Sequence, residues 1–284
     1  MKIQINTKQS RKINGRYYPR VRTQQLSESN ALTAIIEGVL EDVANRSLPI
    51  SELQDNLATA PQLRDAYKVL SSKDMSLIAE VKRSSPSKGD LANISDPISL
   101  AKSYEIGGAD IVSVLTESRK FKGSITDLTS VRQSINLPVL RKDFIVTEYQ
   151  IFESRLLGSD LLLLIVAGLN KKQLIDYHQL ATELGMSVLI EVHTVAESEI
   201  ALDIGAKIIG VNCRNLKTLE IDKNAFELIL PILPQSIVKV AESGISARSD
   251  VERVAQLGAN AVLVGETLVK SSNPVHTIKD LLNQ

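Results

Sequence analysis

The chain has 284 residues, 43% of them apolar and 23% charged, with 33 basic residues against 33 acidic ones. That composition excludes disordered and coiled-coil architectures, and a net charge of zero with no Trp, six Tyr and four Phe leaves little of the basic footprint or stacking surface of nucleic-acid binders. A lone cysteine, Cys213, and three scattered histidines exclude a disulfide framework and argue against a metal cluster. With no apolar run near the roughly 20 residues of a spanning helix, the expectation is a cytoplasmic protein that enters no membrane.

Residues 1–27 carry Lys2, Lys8, Arg11, Lys12, Arg16, Arg20 and Arg22 and no acidic residue, which reads as a basic, solvated arm. From residue 30 onward Leu32, Ile35, Ile36, Val39, Leu40 and Val43 recur at steps of three and four, one stripe of a helix. Two shorter helices are expected next, one capped by Ser51 and carrying Leu53 and Leu57, the other opened by Pro61 and carrying Leu63, Tyr67 and Leu70. Residues 28–73 therefore read as a helical extension, and 74–284 as the main body.

In the main body a short phrase recurs about every 50 residues. Gly108-Ala109-Asp110 leads into Ile111–Leu115, Gly158-Ser159-Asp160 into Leu161–Val166, Gly205-Ala206-Lys207 into Ile208–Val211, and Gly258-Ala259-Asn260 into Ala261–Val264. Between these runs lie Leu77–Val81, Pro138–Leu140, Ser187–Val192 and Ile237–Val240, which completes eight strands. All are apolar almost throughout, as parallel strands covered on both faces are. Helices are expected between them at Ala101–Ile106, Ile125–Ile135, Tyr149–Leu157, Lys172–Leu184, Val195–Leu202, Ala225–Leu230 and Val251–Leu257. Eight βα repeats predict an α/β fold closed as a (β/α)8 TIM barrel, with an open doubly wound sheet as the alternative.

A barrel carries its chemistry at the carboxyl ends of its strands. Those ends hold Glu80, Lys82 and Ser85; Lys142 and Asp143; Glu191; Asn212 and Arg214; Glu242, Ser243 and Gly244; Gly265 and Glu266. If Val81 meets the helices, Glu80 and Lys82 both face the lumen. Two lysines and two carboxylates converging there suggest an anionic substrate and acid–base work, against which stand plain ion pairs of Lys82 with Glu80 and Lys142 with Glu191. A Schiff-base lysine, as in aldolase-type phosphosugar lyases, and an inactive barrel scaffold are the other readings. The turns Ser243-Gly244 and Gly265-Glu266, after strands 7 and 8, are where barrels present backbone N–H groups to a phosphate.

The run Ile78-Ala79-Glu80-Val81-Lys82-Arg83-Ser84-Ser85-Pro86-Ser87-Lys88-Gly89 resembles the signature of the indole-3-glycerol phosphate synthases. The resemblance continues through Ser113–Glu117, Lys142–Val146, Leu189–His193, Gly210–Leu216, Ala241–Ile245 and Leu263–Glu266, in order, over about residues 30–272. It implies ring closure of 1-(2-carboxyphenylamino)-1-deoxyribulose 5-phosphate with loss of carbon dioxide and water, no metal or organic cofactor, and a monomer whose partner is that small phosphorylated substrate. By matching positions, Lys142 is the general acid, Lys82 holds the substrate carboxylate, Glu191 is the base, and Glu80 and Asn212 position the sugar hydroxyls and a lysine. Arg214 and Leu216 line the site. Ser85, Ser243, Gly244, Gly265 and Glu266 match a phosphate cradle, Glu266 through its backbone N–H. Phe121, Phe144, Leu163 and Leu263 match an apolar slot for the aromatic ring. Cys213 is expected to point away from the lumen, and His178, His193 and His276 carry no role.

Overall fold

The recurring phrase has a mechanical role. In the computed structural model, which describes residues 11–13, 16–18 and 30–284, Gly108 ends a helix at φ 96°, a left-handed turn that a Cβ would strain, and Gly158, Gly205 and Gly258 make the same turn. Two residues on, side chains reach back to the preceding strand. Asp110 Oδ2 accepts from Leu77 N at 3.0 Å, Asp160 Oδ2 from Val139 N at 2.9 Å, and Asn260 Oδ1 from Lys239 N at 3.0 Å. Each of these three phrases thus pins the start of one strand to its neighbour. Lys207 has no acceptor in its side chain; its carbonyl accepts from Val238 N of the following strand at 3.0 Å, as the carbonyls of Asp160 and Asn260 do from Ser187 and Ser76.

The strands are β1 (Ser76–Val81), β2 (Ile111–Leu115), β3 (Val139–Lys142), β4 (Leu161–Ile165), β5 (Ser187–Val192), β6 (Ile208–Asn212), β7 (Val238–Glu242) and β8 (Ala261–Val264). They pair in parallel in chain order, and β8 closes on β1 with Ala261 opposite Ser76 and Val264 opposite Ala79. This is the closed TIM barrel, not the open sheet. The intervening helices are α4 (Pro97–Gly107), α5 (Ile125–Ser134), α6 (Glu148–Leu156), α7 (Lys171–Glu183), α8 (Val195–Asp203), α9 (Asn224–Ile229) and α10 (Arg248–Gln256). Beyond the sequence expectation lie α11 (Glu266–Val269) and α12 (Pro274–Leu282), the latter burying Ile278 and Leu281.

Strand boundaries depart from the apolar runs where polar residues are paired. β3 continues past Leu140 through Arg141 and Lys142, and β7 past Val240 through Ala241 and Glu242. Arg141 is 0% exposed because it bonds Thr116 Oγ1, Ser154 Oγ and Asp143 Oδ2 on the helix side of the sheet. β4 stops one residue early, with Val166 opening a 3₁₀ turn.

The extension consists of α1 (Ala31–Arg46), α2 (Ile50–Asp55) and α3 (Ala66–Ser71). Asn30 caps α1, accepting from Thr33 N at 3.1 Å, and the stripe Leu32, Ile35, Ile36, Val39 and Val43 is buried. Each such side chain contributes roughly 1.5–3 kcal/mol relative to exposure. Arg119 pairs with Glu41 at 2.9 Å and Asp42 at 2.7 Å, and Arg46 with Glu153 at 2.9 Å, so α1 is tied across the carboxyl ends of the strands. Ser51 lies inside α2, whose first flanking residue is Pro49. Pro61 does not open a helix: Arg64 donates its N–H to Asp160 Oδ1 at 2.7 Å and its guanidinium to Leu137 O, holding residues 61–65 extended until Asp65 caps α3. α3 seals the opposite end, with Ala66 and Leu70 0% exposed and Tyr67 N donating to Ser187 Oγ at 3.3 Å.

The basic arm expected over residues 1–27 lies outside the described residues, except for the backbone of a short antiparallel pair, Arg11–Ile13 with Arg16–Tyr18. Among the described residues no helix is long and apolar enough to cross a membrane.

Candidate active site

Side-chain alternation sorts the strand residues into two layers. Val81, Val114, Val192, Val211 and Ala241 belong to the cluster under the helices, whereas Ile78, Leu140, Leu189 and Val240 belong to the cluster inside the barrel. Two residues beyond these four inner positions stand Glu80, Lys142, Glu191 and Glu242. The four odd-numbered strands therefore end in a ring of three carboxylates and one ammonium. Val81 does meet the helices, and both charges of strand β1 border the lumen.

The ring closes on itself through short contacts. Lys142 Nζ lies 2.6 Å from Glu191 Oε2 and 3.0 Å from Glu242 Oε2, while Lys82 Nζ lies 2.5 Å from Glu80 Oε1. Asn212 Nδ2 donates to Glu191 Oε1 at 3.0 Å. Glycines in β6 and just after β8 make the space: a Cβ on Gly210 would overlap Glu242 Oε1, and one on Gly265 would overlap Glu80 Oε1. The anticipated ion pairs are real, yet they face a cavity of about 520 Å³ and include one carboxylate more than the lysines can neutralise. Groups holding the barrel together would have no need of either feature.

Their protonation follows from burial and spacing. Burial alone would lower the Lys142 pKa, but Glu191, Glu242 and Glu80 together outweigh it and raise it above the ordinary lysine value. Burial would raise Glu191; Lys142 and His193 reverse this and hold it well below the usual carboxylate range. Glu242 is the loser of the pair: burial pushes it up to about 7, Glu191 and Glu80 add to the push, and its one favourable partner, Lys142, is shared.

One wall of the cavity is apolar. Phe121 and Phe144 stand 6.2 Å apart between ring centroids at 39°, with Leu163 and Leu263 buried beside them. Glu117 holds the loop that carries Phe121 by accepting from the N–H groups of Arg119, Lys120 and Phe121 at 2.9, 2.7 and 2.8 Å. Asp143 Oδ1 accepts from Phe144 N at 2.8 Å.

On the other side lie Ser85, Ser243, Gly244, Gly265 and Glu266. Ser243 and Gly244 take φ of 67° and 68°, consecutive left-handed residues that turn the chain sharply at the end of β7. The Glu266 carboxylate is occupied by Lys88 and Lys270, both at 2.8 Å, which neutralises it at the rim and adds two cations that the sequence reading did not assign. Arg214 Nη1 bridges Ser87 Oγ at 3.0 Å and Leu219 O at 2.9 Å, and Leu216 lines the same cavity.

All sixteen residues proposed from the sequence line this one cavity. Missing from the proposal are Glu242, visible only as one more charge at a strand end, Ile35 reaching in from α1, and His193, whose Nε2 stands 3.2 Å from Glu191 Oε1. The available signal for the histidine was its spacing, two residues beyond Glu191. Cys213 points away from the lumen as expected, 2% exposed in the helix-side cluster.

The sequence pattern of the family described as indole-3-glycerol phosphate synthase matches residues 32–281. The indole-3-glycerol phosphate synthase of Streptomyces griseus is 49% identical over 255 residues, covering 89% of this chain and 95% of the relative. That of Rhodococcus jostii is 50% identical over 254 residues, covering 89% and 94%. Among solved structures, thiamine phosphate pyrophosphorylase from Pyrococcus furiosus superposes with a TM-score of 0.58 at 12% identity, over 74% of this chain and 95% of that one. The 3-hexulose-6-phosphate synthase from Salmonella typhimurium gives 0.56 at 17%, over 74% and 97%. These two likenesses show the barrel fold alone.

Proposed function

The chain belongs to the indole-3-glycerol phosphate synthase family, and on that footing we propose how its barrel mouth carries out the family's ring closure, a carboxy-lyase step of tryptophan biosynthesis. The substrate is 1-(2-carboxyphenylamino)-1-deoxyribulose 5-phosphate; the products are indole-3-glycerol phosphate, carbon dioxide and water. The observation that carries the division of roles is the Lys142 ammonium held between Glu191 and Glu242, on the floor of a cavity with one apolar wall and one lysine-rimmed wall.

Phe121, Phe144, Leu163 and Leu263 take the aromatic ring, and the phosphate goes to Ser85 and the turns Ser243-Gly244 and Gly265-Glu266. This orientation lays the ribulose carbonyl over the charged ring. The ring carbon that bears the carboxylate attacks the carbonyl carbon, and Lys142 delivers its proton to the carbonyl oxygen. The raised pKa keeps Lys142 protonated at neutral pH, so that the proton is in place when the carbonyl oxygen becomes a basic alkoxide as the carbon–carbon bond forms. Lys82 holds the substrate carboxylate until it leaves as carbon dioxide, and then assists departure of the hydroxyl as water. Glu191, kept ionised chiefly by Lys142 and hydrogen-bonded by Asn212, stabilises the cationic intermediate and removes the last proton to restore aromaticity. Glu80 and Asn212 orient the sugar hydroxyls and the lysines, while Arg214 and Leu216 close the side. The reading includes a monomeric enzyme working in the cytoplasm.

The test is the absorbance or fluorescence rise of indole-3-glycerol phosphate from this substrate with wild type and with Lys142→Met. Turnover by wild type and a loss of about three orders of magnitude or more in the variant is the expected result. Undiminished turnover in the variant would move the acid to Lys82, and trapping of Lys142 by borohydride would replace acid catalysis with a Schiff base.

A further inference from the structure

Two buried carboxylates share the Lys142 ammonium, and something must decide which of them keeps its charge. Among the described residues Glu242 Oε1 has no hydrogen-bond partner, and it packs against the Gly210 backbone. Glu191 Oε1, by contrast, accepts from Asn212 and stands 3.2 Å from His193 Nε2, near enough for an ion pair though too oblique for a hydrogen bond. His193 is thus the second cation within ion-pair distance of Glu191.

The imidazole is itself held. Its Nδ1 lies 3.2 Å from Glu197 Oε2, the same oxygen that accepts the His193 backbone N–H at 2.7 Å. Glu197 stands in the first turn of α8. The charged groups that contact this imidazole are Glu191 near the end of β5 and Glu197 on α8, and Lys217 and Asp222 from the β6–α9 loop border with it a second cavity of about 220 Å³. Asn212 and Leu216 form the partition between the two cavities, and Glu191 lines the catalytic one. Burial would lower the His193 pKa, but Glu191 and Glu197 outweigh it and raise it to about 9, so the ring is an imidazolium at neutral pH.

We propose that His193 is a positioning residue of the reaction: clamped by Glu197 behind the partition, its imidazolium holds Glu191 ionised and oriented for proton abstraction and leaves the exchangeable proton of the site on Glu242. This rests on the reading of Glu191 as the base. His193 touches no reacting atom; it acts through the carboxylate in front of it.

The test is the single-turnover rate of the full chain as a function of pH. In His193→Gln the acidic limb, which in wild type lies below the usual carboxylate range, moves up by about one pH unit or more, so that the rate on that limb falls roughly tenfold relative to wild type while the rate near pH 8 and the KM change little. Glu197→Gln, which leaves the ring in place but unclamped, moves the limb in the same direction by less. In His193→Ala, added imidazole restores the acid-side rate, the second cavity offering it room. An unmoved limb in both His193→Gln and Glu197→Gln, with Glu191→Gln inactive, overturns the role of His193 and spares the base. Full single-turnover activity in Glu191→Gln overturns both readings.

Discussion

At position 210 on β6 a methyl group would overlap Glu242 Oε1, so Gly210→Ala must push the carboxylate off Lys142 or spread two strands. Displacement of a catalytic group by about 1 Å costs on the order of 100-fold in rate. Gly210→Ala should therefore keep its fold, judged by circular dichroism, and lose about one to two orders of magnitude in kcat; wild-type kcat would show that Glu242 has no part in the chemistry. The identity of the charged residues was legible in the sequence because period-two alternation fixes which residues share the lumen once one neighbour, Val81, is placed among the helices. Their electrostatics were not. How far the cost of burying Lys142 is offset depends on whether a second carboxylate lies within 3.0 Å of its Nζ, and Glu242 does so from 100 residues away in the chain. A list of strand-end charges contains Glu242 without showing that it shares Glu191's lysine.

The barrel itself was legible at the level of elements because one local device repeats. Glycine ends the helix before each even-numbered strand, and in three of these four phrases an Asp or Asn two residues later bonds the preceding strand, so the phrase announces a boundary in every second repeat. What local patterning could not show is where paired charges prolong a strand, as at Arg141-Lys142, or where a distant carboxylate claims a backbone group, as Asp160 does with Arg64 N and keeps Pro61 from starting a helix. Asp160 also lies 3.0 Å from the Arg132 guanidinium. Burial, outweighing Arg132 and the backbone donors, holds its carboxyl above the usual range, so the ion pair as such adds little stability. The cost of removing it comes from what is left behind: a buried guanidinium and the N–H groups of Arg64 and Val139 without acceptors. Asp160→Ala should lose about 3 kcal/mol in urea unfolding with kcat intact, because the residue lies at the strand starts, opposite the chemistry. Asp160→Asn, which retains an acceptor oxygen, should lose less. A fall in kcat in either folded variant would show that the two ends of the barrel are coupled.

For the whole molecule, the ends of the barrel do opposite work: α3 seals the end where strands begin with buried apolar side chains, and α1 covers an end where three carboxylates and two lysines are kept partly desolvated. A charged ring of this kind is unfavourable for folding, and its pH dependence exposes the cost. The Glu242 carboxyl titrates at about 7 in the folded chain against 4.5 for the ordinary group. Between these values the unfolded chain has released the proton and the folded chain has not, so unfolding releases protons and stability falls as pH rises. The contribution is fully present below 4.5, lost through about 7, and constant above that. Glu242→Gln removes the titration without emptying the site. Its urea midpoint should match wild type near pH 4.5 and exceed it at pH 8, while kcat drops. Wild-type and variant stabilities that run parallel across this range would mean that Glu242 is ionised throughout, and that the carboxylate surplus at the barrel mouth is neutralised by some other group.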